Sequence, residues 1–122
     1  MSGRLTTHVL DLSQGTPAAG VAVQLRRLKE GAAELLCEAV TNRDGRLDTP
    51  LLEGAEMEAG SYELLFMAGD YFRKRATGEA EGEPVSCFFE HIPIRFNIGS
   101  PAEHYHCPLL MAPGGYSTYR GS

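Results

Sequence analysis

Ile92-Pro93-Ile94-Arg95-Phe96-Asn97-Ile98 alternates a bulky apolar residue with a polar or cyclic one at every step. A period of two puts Ile92, Ile94, Phe96 and Ile98 on one face of an extended strand, with Pro93, Arg95 and Asn97 opposite. Such a strand buries one side only, and Pro93, with no N–H for a ladder, marks an edge or a bulge. The same alternation recurs outward along the chain. Val21, Val23 and Leu25 share one face of residues 21–26, and Tyr62, Leu64 and Phe66 share another with Glu63 turned away. Residues 5–10 are strand-like, and residues 35–41 repeat the pattern more weakly. Gly15-Thr16-Pro17, Ala19-Gly20, Asp44-Gly45 and Ala59-Gly60-Ser61 supply turn chemistry between the runs. Helical spacing is scarce, and the exception is a short helix expected over residues 71–76. Residues 77–86 are polar, acidic and Gly-rich, and are expected to form a mobile surface loop. About seven or eight short strands at this spacing predict an all-β sandwich. No internal repeat is present.

With 122 residues the chain has room for one domain, taken as 1–122. A domain of this length buries roughly two-thirds of its unfolded surface and needs no metal or disulfide staple. Acidic residues outnumber basic ones 16 to 11, a net charge of -5, so nothing would drive the counterion release that nucleic-acid binding depends on. No apolar run approaches the ~18 residues of a membrane span. The opening residues show no apolar signal segment. The odd cysteine count (Cys37, Cys87, Cys107) lacks metal-type spacing, and a reduced, cytoplasmic setting is expected.

Histidine alone titrates unperturbed near neutral pH, so the four histidines are informative. In Glu103-His104-Tyr105-His106-Cys107-Pro108-Leu109-Leu110-Met111, strand alternation sets His104 and His106 on one face. Tyr105, Cys107, Leu109 and Met111 fall on the other and resemble a core face, which turns both imidazoles outward. His8 lies in the first strand-like run; His91 has no such company. A His-x-His pair on a strand can chelate zinc, but a site needs a third and usually a fourth ligand, and the cysteines lack the spacing to supply one. Cys107 is expected to be a buried small hydrophobe. The closing residues, Gly114 to Ser122, carry two tyrosines, an arginine and several hydroxyls. They fit a last strand with Tyr119 and Arg120 as surface contacts. They fit equally a pocket wall, with Tyr119 stacking and Arg120 pairing with a carboxylate or carbonyl.

Three motifs resemble the 5-hydroxyisourate hydrolases, the transthyretin-like proteins of urate breakdown. The first is Thr7-His8-Val9-Leu10-Asp11 followed by Gly15-Thr16-Pro17-Ala18. The second is Thr41-Asn42-Arg43-Asp44-Gly45-Arg46. The third runs from Glu103-His104-Tyr105-His106 through Pro108-Leu109-Leu110 to Tyr116-Ser117-Thr118-Tyr119-Arg120-Gly121-Ser122. Gly69-Asp70-Tyr71-Phe72 and Phe88-Phe89 with Ile92-Pro93 are also similar to the family. The chain is identified as a member, because the motifs cover almost all of it in the family's order. The closing Tyr-Arg-Gly-Ser separates the hydrolases from hormone-carrying transthyretins. Three features depart from the pattern: a longer stretch between Arg75 and Cys87, Glu90 where proline is usual, and Cys107 where an aliphatic residue is usual.

The resemblance implies a transthyretin-like Greek-key β-sandwich of about eight strands with one short helix. It implies a homotetramer of paired dimers, with the site in a channel shared by two subunits. The implied reaction opens the six-membered ring of 5-hydroxyisourate by adding water to a ring carbonyl, with no metal and no cofactor. His8, Arg46, His106 and Ser122 are the implied catalytic residues. His8, Arg46, His104, Tyr119 and Arg120 are the implied substrate contacts. His106 and His8 are both candidates to activate water, and the sequence does not choose between them. The other reading is a transthyretin-type carrier holding an aromatic ligand in the same channel without chemistry. The histidines and Arg46 argue against it, since a hormone channel is more apolar.

Overall fold

The computed structural model describes residues 3–77 and 87–122. Each alternating run forms a strand. In chain order these are β1 (Arg4–Asp11), β2 (Thr16–Pro17), β3 (Ala22–Lys29), β4 (Ala32–Val40), β5 (Leu52–Glu53) and β6 (Gly60–Phe66). Helix α1 (Ala68–Thr77) follows, then β7 (Ile92–Ile98), β8 (His104–Ala112) and β9 (Gly115–Thr118). One sheet has the order β2-β1-β8-β9, with β5 also pairing β1; the other is β4-β3-β6-β7. β1 and β8 run parallel, Thr6 opposite His106 and His8 opposite Pro108, and the remaining pairs are antiparallel. The all-β sandwich expected from the alternation is what forms.

The apolar faces of the two sheets meet in one core. Leu5, Val9, Leu109 and Met111 from the first sheet and Val23, Leu25, Leu64, Phe66 and Ile92 from the second are buried. Burying each such side chain contributes about 1.5–3 kcal/mol. β7 is an edge strand, one of the two alternatives, edge or bulge, that Pro93 left open. Tyr105 is buried on the core face of β8, whereas Cys107 is only half-buried and its thiol is pushed up by that burial. Glu63 faces away from the core, yet it is buried. Its register partners are Arg26 and Arg95, and Arg95 Nε donates to its carboxylate at 3.0 Å.

Helix α1 begins three residues before the expected Tyr71, because Gly69-Asp70 reads as a turn when taken alone. Tertiary contacts override that local signal. Gly69 N–H donates to the Glu90 carbonyl at 2.8 Å, and Arg73 pairs with both Glu90 and Asp70. Glu90 thus clamps the helix through its backbone and its carboxylate. At the far end of β1, buried Asp11 accepts from the Tyr71 hydroxyl at 2.8 Å and pairs with Arg75. The helix is fixed to the sheet that carries the histidines. Of the acidic stretch expected to be mobile, residues 78–86 lie outside the described residues.

Candidate functional site

The motif Thr41 to Arg46 folds as a turn against β1. Asn42 Oδ1 accepts from the backbone N–H of Asp44 at 2.9 Å and of Arg46 at 3.1 Å, and Asn42 N–H donates to the Arg46 carbonyl at 2.7 Å. Gly45 has φ +77 and lies against the Val9 carbonyl, so a side chain there would be both strained and obstructed. This turn lays Arg46 beside His8 as an isolated antiparallel bridge. It also orients His8, whose Nε2 lies 2.9 Å from the Asp44 carbonyl. A carbonyl only accepts, so His8 Nε2 carries a proton and any lone pair sits on Nδ1.

On the other side of β1 the parallel register brings Thr6 to His106 and Arg4 to His104. Thr6 Oγ1 lies 2.8 Å from His106 Nδ1. Beyond β8 the closing residues are both a strand and a pocket wall, so the two readings of the tail are compatible. β9 pairs with β8 as far as Leu109–Thr118, and the same register resumes at His106–Gly121. Between them Pro108 has no N–H to give, and its carbonyl is taken by the Thr118 hydroxyl at 2.7 Å. The ladder opens there, leaving Tyr119 exposed. Gly121 N–H donates to the His106 carbonyl at 2.7 Å. A Cβ on Gly121 would stand 2.6 Å from His106 Cδ2, so only glycine lets the backbone cross this ring.

Four segments thus lie side by side on one outward sheet face: the Arg46 turn, β1, β8 and the tail. Arg46, His104, His106 and Ser122 line a cleft of about 290 Å³, with Arg4, Thr6 and Tyr105. His8 stands at its margin, close enough with Arg46 to act electrostatically on His106. Burial first, then the charges of Arg46 and His8, push the His106 pKa below the ordinary imidazole value, so the ring is neutral at pH 7. Tyr119 and Arg120 line an adjoining cleft of about 310 Å³ that contains Phe96, Asn97 and Ile94 and shares Tyr105 and His106 with the first. The Arg120 guanidinium is engaged within the chain: it donates to Glu103 Oε1 and to the His104 carbonyl, both at 3.1 Å, and stacks 4.4 Å from the Tyr105 ring centroid. Sequence reasoning missed Thr6, the Asp44 carbonyl and the Gly121 crossing. Among the described residues no three or more His, Cys, Asp or Glu side chains group as a metal site, and no helix is long and apolar enough to cross a membrane.

A neutral imidazole can accept a proton from water, and a guanidinium and a hydroxyl can donate to a developing oxyanion; the three stand around one open cleft. The profile of the HIUase/Transthyretin family matches residues 5–121. A 5-hydroxyisourate hydrolase of Halalkalibacterium halodurans is 57% identical over 123 residues, covering 100% of both chains. The crystal structure of an (S)-allantoin synthase matches with a TM-score of 0.86 at 46% identity, over 99% of this chain but only 44% of that one. Sea bream transthyretin in complex with thyroxine matches with a TM-score of 0.83 at 25% identity, over 97% of this chain and 94% of that one. On the full-length match and the fold together, the chain belongs to the HIUase/Transthyretin family.

Proposed function

We propose that this chain hydrolyses 5-hydroxyisourate, with His106 as general base. The observation that carries the assignment of roles is the convergence of Arg46, His106 and Ser122 on one cleft, around an imidazole held neutral. His106 takes a proton from water, and the hydroxide adds to the ring carbonyl. The C–N bond then breaks and the departing nitrogen takes the proton back from the His106 imidazolium, giving 2-oxo-4-hydroxy-4-carboxy-5-ureidoimidazoline and the neutral base. Arg46 and the Ser122 hydroxyl donate to the oxyanion as it forms, a contribution of about 10²–10³ in rate for a well-placed donor. Arg46 also holds the flat substrate by its planar fork. His8 and His104 contact the substrate's polar rim. His106 is the better base of the two candidates, because it lines both clefts and its pKa is lowered there, while His8 lines neither.

The same reading places Tyr119 and Arg120 as the outer substrate contacts and the assembly as a homotetramer of paired dimers, with a second subunit walling the cleft. Support comes from the openness of the face. Arg46, His104, Tyr119 and Ser122 are all exposed, and among the described residues β7 and β9 each end their sheet with an unpaired edge. Three free thiols suit a cytoplasmic setting. The carrier alternative draws on the likeness to a thyroxine-bound transthyretin, but charged and imidazole groups in the cleft favour chemistry over storage.

Absorbance decay of 5-hydroxyisourate, made freshly from urate with urate oxidase, tests this directly. The protein should accelerate the decay, equally well in a chelator; decay at the spontaneous rate would leave the carrier. In the same assay kcat/KM should fall on acidification, because the imidazolium cannot accept a proton. Since the His106 pKa is lowered, the midpoint should lie below the 6.5 of free imidazole. A midpoint above that value would contradict a base in this environment.

A further inference from the structure

We infer that Thr6 is a positioning residue for this reaction, its hydroxyl accepting the Nδ1–H of His106 and so holding the imidazole in the tautomer whose Nε2 lone pair is free for water. The inference rests on the hydrolytic reading for its purpose, though not for its geometry. Thr6 Oγ1 and His106 Nδ1 are 2.8 Å apart, and the parallel register that sets the two residues opposite each other makes the contact a property of the sheet. A β-branched side chain on a strand has little χ1 freedom, which keeps the hydroxyl in place. Gly121 closes the other side of the ring, its backbone bonded to the His106 carbonyl and its Cα too near Cδ2 to bear a methyl. Between Thr6 and Gly121 the imidazole is held in one orientation.

A hydroxyl can donate or accept, so the direction follows from what the ring must do. A ring that takes a proton at Nε2 carries Nδ1–H both before and after the transfer. If Thr6 accepts from Nδ1–H, that bond persists through the step and nothing reorganises around it. Were Thr6 the donor, the neutral ring would carry its proton on Nε2 and have no lone pair for the water's proton. The neutrality of the partner matters as well. A carboxylate behind the ring would favour the imidazolium. Threonine fixes the tautomer without adding charge, and the ring remains a neutral base beside Arg46.

Three readouts on the full chain test the role. Thr6→Val keeps the branched shape and removes the hydroxyl; it should lower kcat about tenfold to a hundredfold, the scale of a small misplacement of a reacting group. KM should stay within about twofold, since the Thr6 hydroxyl is engaged by the His106 ring and the valine keeps the side chain's shape on the cleft wall. Thr6→Ser restores a hydroxyl and should recover most of the rate. Long-range 15N–1H NMR of the histidine-labelled parent, recorded without substrate above the His106 pKa, should show a protonated Nδ1 and a bare Nε2. A parent with Nε2–H would overturn the inference even if hydrolysis stands. So would a valine variant that folds and turns over like the parent. If the valine variant does not fold, the parent's tautomer and the serine variant's rate still decide it. A parent with Nδ1–H that fails to hydrolyse 5-hydroxyisourate would overturn the function, and the positioning role with it, while leaving the hydrogen bond in place.

Discussion

His106→Asn is expected to lower kcat for 5-hydroxyisourate by about 10²–10⁴-fold, the usual contribution of a positioned general base. Asparagine is smaller than histidine, so it fits under the Gly121 backbone, and its amide can still meet the Thr6 hydroxyl. It has no group that accepts a proton near neutral pH. His106 is half-buried on the outward side of β8 and takes no part in the core, so unfolding temperature should be close to that of the parent. Steady-state kinetics with a melting curve checks both halves. Parent-like turnover in a folded variant would pass the base role to His8.

Arg46→Lys is the second large effect, expected at about 10²-fold or more in kcat/KM. The Arg46 backbone is held by Asn42, so the turn does not depend on the side chain. Lysine keeps the charge but loses the planar fork that can hold two atoms of a flat ring. Charge and orientation therefore separate in one experiment. Because the cation survives, the acid limb of the pH profile should stay where the parent has it. Arg46→Met removes the charge as well and should move that limb upward, toward 6.5, since a neighbouring cation no longer disfavours the imidazolium. A lysine variant as active as the parent would show that charge alone is the contribution of Arg46.

Much of the fold was legible because one-sided burial writes a period of two into the chain. Ile92, Ile94 and Ile98 face the core as their spacing required, and the turns lie where Gly15, Gly20, Gly45 and Gly60 permit left-handed or otherwise unusual backbone. The start of α1 was not legible, since what overrides Gly69-Asp70 is a carbonyl and a carboxylate from Glu90, twenty residues on. The burial of Glu63 was hidden for the same reason, as its cover comes from Arg26 and Arg95 on two other strands.

At the site, alternation alone turned His104 and His106 outward, and the motifs pointed to Arg46 and His8. Which of these groups meet is decided by pairings no local pattern contains. The Arg46 turn lies along β1, β8 runs parallel to β1, and the tail returns at Gly121. Thr6 gave no signal, because a threonine in a strand is an ordinary β-branched residue and its partner lies 100 positions away. Spacing allowed Arg120 either a surface place or pairing with a carboxylate or carbonyl, and it pairs with the Glu103 carboxylate and the His104 carbonyl while stacking on the Tyr105 ring.

A crystal structure with a planar, non-hydrolysable purine-dione analogue asks most directly where substrate sits. Its carbonyl edge should lie on the Arg46 guanidinium, with the carbon equivalent to the attacked one facing His106 Nε2 across the space of a water molecule. An analogue lodged instead against Phe96 and Asn97 in the adjoining cleft, out of reach of Arg46, would contradict the account.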